Sequence, residues 1–173
     1  MKLIESDYSD QVFKKADFLG DDFSAKKFCD CIFDGCNLSL VKIEDASLQN
    51  VRFEHCKLVG LDFSKLNIFN LELGFKDCVL SNCIFTGLQL DGISFERSVI
   101  SDCFFADTSL KKANFCEADL SGTTFEKADL TGASFVGAKN YAINPLGNKI
   151  AKAKFSYPEA LRLLKYFDIE IEL

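Results

Sequence analysis

A large apolar residue returns at every fifth position along most of this 173-residue chain. Ala118 to Phe135 reads ADLSGTTFEKADLTGASF, with Leu120, Phe125, Leu130 and Phe135 at the recurring position. From Phe13 to Ile68 the same step gives twelve such centres, and from Leu80 to Phe135 it gives twelve more, all of them Phe, Leu or Ile. Thirteen of the 18 Phe fall on these centres. A helix cannot use the pattern. Five residues at 100° each turn 500°, so the centres would spiral around the helix instead of forming a stripe. A strand alternates with a period of two. A small residue stands two positions before many of the centres: Ala118, Thr123, Ala128 and Ala133 in this stretch.

Ala118-Asp119-Leu120, Ala128-Asp129-Leu130 and Ala113-Asn114-Phe115 match the motif A(D/N)LXX. On these residues the chain closely resembles the pentapeptide-repeat family, over about residues 11–139. The resemblance implies an all-β fold, a right-handed quadrilateral parallel β-helix. Four pentapeptides make one square coil of 20 residues. Centre and minus-two side chains point inward, and the other three face water. The order of residues supports four sides independently. Phe alternates strictly with Leu or Ile from Leu80 to Phe135, so stacking at intervals of 20 gives two opposed Phe columns and two aliphatic ones. Such columns can fill a narrow shaft at protein density.

The register breaks once. Ile68 to Leu80 spans 12 residues where two repeats span ten. Counting one repeat plus two extra residues keeps Phe85 on a Phe side. This predicts a bulge near 69–73, with Phe75 as centre, Leu73 inward behind it, and a stack Phe53–Phe75–Phe95. The first coil is expected to be irregular or partly open, because Gln11, Asp21 and Lys26 occupy inward positions where a charge is costly to bury. The β-helix is therefore assigned to 1–139.

After Ala138 the five-residue rule stops. Residues 140–173 are expected to form a separate tail that caps the last coil and protects its edge. Ser156 and Glu159 read as a capping box around Pro158, predicting a helix over about 157–167. Ile169, Ile171 and Leu173 alternate with acids, predicting a short terminal strand. Leu161, Leu164, Phe167, Ile169 and Ile171 are the candidate cap or dimer contacts. Family members that protect DNA gyrase dimerise through C-terminal helices, which implies a homodimer through this tail.

Chemistry has little to stand on. The one His, His55, follows its centre by two and should face solvent. No catalytic, metal or cofactor site is expected. Six of the eight cysteines, Cys31, Cys36, Cys56, Cys78, Cys83 and Cys103, are minus-two residues and read as core packing, with Cys29 and Cys116 outward. The chain has 20 bases against 26 acids, a net charge of −6, which argues against direct nucleic-acid binding. No apolar run suits a signal peptide or a bilayer, so the expected setting is cytoplasmic and membrane-free, with reduced thiols.

Activity must then lie in a surface. The resemblance extends to members that mimic DNA toward type II topoisomerases, which names DNA gyrase or topoisomerase IV as a protein partner. The candidate acidic side carries Asp21, Asp22, Glu44, Asp45, Asp62 and Asp107 against Lys42 and Lys65. The acids form no continuous stripe. The bulge, exposing Phe69 and Leu71, is the only irregularity comparable to the long loops of many quinolone-resistance members. The alternative is a non-enzymatic scaffold for an unidentified protein.

Overall fold

The computed structural model describes residues 3–170. Its strands are two to four residues long and pair only in parallel, almost always with the segment 20 residues away. One wall stacks β1 (Asp7–Ser9), β3 (Lys27–Cys29) and β5 (Ser47–Gln49). The next stacks β2 (Val12–Lys14), β4 (Ile32–Asp34), β6 (Val51–Glu54) and β8 (Leu73–Lys76). The third carries β7 (Lys57–Val59), β9 (Val79–Ser81) and β10 (Val99–Ser101). The fourth carries β11 (Phe104–Ala106) and β12 (Thr124–Glu126). Farther along the second wall, β13 (Ser134–Phe135) pairs with β14 (Lys154–Phe155). The chain thus winds as a four-sided solenoid.

A square coil must turn at each corner, and the backbone does so with φ near +50 to +76° two residues after the centre. Of the non-glycine residues in this left-handed region, 19 in all, ten are Asp or Asn, the types that tolerate it best. The residue before the centre braces the same corner. Asp17 Oδ1 accepts from Leu19 N–H at 3.2 Å, Asp22 from Ser24 at 2.9 Å, Asp119 from Ser121 at 3.2 Å and Asp129 from Thr131 at 3.1 Å. These Asx turns are the physical reason for Asp or Asn in the motif.

Two aromatic columns run up the shaft. Phe53–Phe75, Phe75–Phe95, Phe95–Phe115 and Phe115–Phe135 stack at 4.9–5.1 Å, and Phe63–Phe85–Phe105–Phe125 at 4.5–5.2 Å. The columns meet edge to face: Phe85 and Phe95 lie 5.8 Å apart at 88°. Both arrangements are the favoured geometries for aromatic rings.

The predicted bulge is present, with one correction. Leu73 and Phe75 are buried and the stack Phe53–Phe75–Phe95 forms. Ser47 bridges Asn67 at an interval of 20, while Val51 pairs Leu73 at 22, so the two extra residues lie within 68–72. Ile68, expected to be an inward centre, is 69% exposed, and Leu71 packs partly on the core instead. The bulge begins one residue earlier than the spacing suggested.

Two further expectations change. The first coil is regular, paired through β1, β2 and the bridges Asp17–Asn37 and Asp22–Lys42. None of Gln11, Asp21 and Lys26 is shut in the shaft: Gln11 is exposed, Asp21 and Lys26 are half-buried, and Lys26 reaches over the chain before β1 to donate from Nζ to Glu5 O at 2.7 Å. At the other end, pairing continues beyond 139. Lys139, Ala142, Lys149 and Lys154 bridge the coil below, and Phe155 stacks on Phe135 at 5.1 Å. Tyr141 and Ile143 fill the shaft where the motif no longer applies. The sequence rule ends at Ala138, while the coil runs to Phe155.

Candidate binding surfaces

The inward minus-two thiols do more than fill space. Cys36 Sγ reaches Phe13 O at 3.3 Å, Cys56 reaches Phe33 O at 3.1 Å and Cys78 reaches Phe53 O at 3.3 Å. Thr108 and Thr123 donate in the same way to Phe85 O and Ile100 O. Each side chain satisfies a buried carbonyl of the coil before it, which Ala cannot do. Burial pushes the Cys31 and Cys36 thiols up. Cys29 and Cys116 are half-buried on the outside. The hydrogen bond with the Asp30 carboxylate raises the Cys29 thiol.

The acidic residues share one wall without forming a continuous field. Lys65 Nζ lies 3.4 Å from Glu44 and 4.0 Å from Asp62. Asp22 and Lys42 are backbone-paired neighbours on adjacent coils. Above Asp62 the mid-wall positions become Ile84 and then Phe104, the latter 49% exposed. Asp107 is thereby separated from Asp21, Asp22, Glu44, Asp45 and Asp62, which gather toward the N-terminal end.

The bulge presents Ile68 and Phe69, adjacent and exposed at 69% and 71%. Asn67 holds their approach by accepting from Phe69 N–H at 3.0 Å. Beside it lies an open groove of about 360 Å³ lined by Arg52, Glu54, Glu72, Lys76 and Ser94. The floor is Gly74, which pairs with Arg52 and Ser94 and puts no side chain into the groove.

The tail differs from expectation. Glu159–Tyr166 is a 3-10 helix, with Leu161 N–H donating to Pro158 O at 3.0 Å. The capping box does not form. Ser156 Oγ accepts from Gly137 N–H at 2.9 Å, so a bond to the last coil replaces the local cap. Leu163, not among the expected contacts, packs against the core, and Leu164 is half-buried. Leu161, Phe167 and Ile169 are exposed. Residues 169–170 form no strand, and Ile171 and Leu173 lie outside the described residues.

On the corner after the second wall, His55 faces solvent as expected. Its Nδ1 lies 3.1 Å from Asp34 Oδ1 and its Nε2 3.9 Å from Asp77 Oδ2. Arg97 grips Asp77 with Nε and an Nη at 2.8 and 3.0 Å. That bidentate bond holds the Asp77 carboxyl below its ordinary range.

The model of the pentapeptide repeat region matches residues 6–74 and 71–135. The chain belongs to the pentapeptide-repeat family. Among solved structures, a trypsin-treated variant of QnrB1, a plasmid-mediated fluoroquinolone resistance protein, is similar with a TM-score of 0.72 at 17% identity. That match covers 98% of this chain and 94% of the other. A second trypsin-treated QnrB1 variant gives 0.51 at 18% identity, over 96% and 91%. At these identities the likeness is one of fold. A search of curated proteins finds no significant match.

Two features escaped the sequence reading. Gly74 follows the bulge as a lone mid-wall glycine, a signal that was available. The grouping of Asp34, His55 and Asp77 was hidden because it depends on stacking across three coils.

Proposed function

We propose that the protein is a non-enzymatic binding rod in a cytoplasmic setting, and that its contact with a protein partner centres on the bulge. The observation that carries this reading is the pair Ile68 and Phe69, held outward beside a charged groove on an otherwise regular solenoid. A rigidly placed apolar knob with polar surroundings is the usual anatomy of an interface anchor. A photo-cross-linking residue at position 69 tests it. A discrete adduct that disappears when the bulge is removed supports the reading, and no adduct above that from an outward residue on another wall refutes it.

A second reading, topoisomerase interaction by DNA mimicry, draws on whole-length fold similarity to QnrB1. Eight aromatic residues from Phe13 to Phe155 span seven coil steps, about 34 Å at ~4.8 Å each, roughly one turn of duplex. Duplex DNA carries about 20 phosphates over that length, at one per ~1.7 Å. Residues 1–140 hold 22 acids and 15 bases. Mimicry would therefore rest on shape and the acidic N-terminal end rather than on total charge. A gyrase supercoiling assay with and without a fluoroquinolone decides it. Neither inhibition nor protection at micromolar protein removes mimicry and leaves the binding rod standing.

The exposed face of Leu161, Phe167 and Ile169 is the proposed homodimer contact. Light scattering of the full chain at high concentration tests this, and a monomer removes it.

A further inference from the structure

We infer that Asp34, Glu54 and His55 form a surface site for a divalent transition-metal ion such as zinc. The solenoid register builds the site. Asp34 and Glu54 are paired neighbours on β4 and β6, so their carboxylates stand on adjacent coils. His55, at the corner with φ +53°, turns its ring back over them. One ligand atom from each of the three lies within 4.8 Å of the others. His55 Nδ1 and Asp34 Oδ1 are hydrogen-bonded at 3.1 Å, and a small separation to about 3.4 Å, the edge of a tetrahedron with metal bonds of ~2.1 Å, would let an ion replace the shared proton. The Glu54 side chain is half-buried and free to close the remaining gap.

Two observations take this beyond a cluster of acids. First, stacked like charges repel unless a cation intervenes. Lys14 and Lys76 flank the pair along the ladder. Among the described residues, neither forms an ion pair with Asp34 or Glu54, and the one basic group at Asp34 is the imidazole. Second, the outer shell of a metal-bound histidine is present. With metal on Nδ1, the ring proton sits on Nε2 and faces Asp77 at 3.9 Å, within reach after a small ring rotation. Asp77 is itself fixed by the two bonds from Arg97. A carboxylate behind a ligating imidazole orients the ring and strengthens it as a ligand. One imidazole with two carboxylates suits zinc, nickel or copper better than magnesium, which demands an oxygen octahedron. The site joins consecutive coils, so a bound ion would staple them.

Zinc chloride titrated by calorimetry into the full chain tests the site, in a Cys29→Ser/Cys116→Ser background that removes the outward thiols. We expect one site per chain. Substitution His55→Asn, which keeps a residue suited to positive φ, should abolish measurable binding. Asp77→Asn should weaken binding by about tenfold through loss of the positioning bond. Zinc should raise the melting temperature of the parent protein and not of the His55→Asn variant. No binding at millimolar zinc, undiminished binding by His55→Asn, or equal affinity for magnesium would each overturn the inference.

Discussion

Removing one ring from the middle of the shaft should cost far more than removing one from its end. Phe105 is fully buried, stacked on Phe85 at 4.7 Å and on Phe125 at 5.2 Å, with Phe95 and Phe115 edge-on at 5.7 and 6.2 Å. In Phe105→Ala, four aromatic contacts disappear and a void remains. The walls cannot collapse into it, because ladder hydrogen bonds hold each coil to those on either side. Large-to-small changes of this kind cost about 3–5 kcal/mol, and a site that cannot relax belongs in the upper half, about 4 kcal/mol. For a chain of this length that lowers the melting temperature by about 8–16 °C. Phe105→Leu keeps most of the volume and should cost about 1 kcal/mol. Phe13→Ala in the first coil removes a ring with its stacking partner, Phe33, on one side only, at 4.7 Å. An end coil can fray without the rest, so its cost should be about half that of Phe105→Ala. Urea unfolding followed by circular dichroism measures all three. A loss below about 1 kcal/mol for Phe105→Ala, or one smaller than for Phe13→Ala, would refute a rigid continuous shaft.

Deleting Leu71 and Glu72 together restores the 20-residue interval, with Asn70 already at the φ of +53° that a corner needs. The variant should fold with an unchanged dichroism spectrum, turn Ile68 inward and lose the partner contact; an unfolded product would show that the bulge is required by the fold. Arg97→Gln should lower the melting temperature at pH 7, since the guanidinium depresses the Asp77 carboxyl. A depressed carboxyl stabilises above its unfolded value of about 3.9 and loses that stabilisation as pH falls through the folded value. The difference between variant and parent should therefore shrink below about pH 4, and a constant gap down to pH 2 would contradict this assignment. Thiol titration with a chromogenic disulfide should find two accessible thiols in the native protein and all eight in denaturant. Fast reaction of more than two native thiols would mean that the shaft opens.

Much of the fold was legible because each inward position repeats the same demand. Twenty-three of the 24 centres, the side of each Phe, the bulge with Phe75 inward and the burial of six cysteines follow from a period of five and a coil of 20, both present in the linear order of residues. Local chemistry accounts for the corners too: Asp119 and Asp129 brace them within three residues of chain. Where the reading failed, a distant partner had overruled a local signal. Ser156 had the spacing of a helix cap, but Gly137 of the last coil offered the nearer donor. Ile68 had the spacing of a centre, but the two extra residues had to leave the ladder somewhere, and Leu71 took its place. Tyr141, Ile143 and Phe155 continue the shaft without the motif, because stacking on Phe135 and pairing with the coil below suffice to shape them.

The sequence by itself determined the coil, since a five-residue apolar period admits no helix or flat sheet. It also determined most of what is inside, apart from Ile68 and Leu71 at the bulge and the shaft beyond Ala138. The outer surface was decided by tertiary structure alone. Outward residues other than those that brace or form the corners answer to no period, and their neighbours lie 20 or 22 positions away on the next coil. Whether Asp34 meets Lys14, Glu54 or His55, whether Asp107 joins the other acids, and whether Gly74 floors a groove beside Phe69 all depend on that stacking. The surface where any partner or ion must bind was therefore the part least visible in the chain.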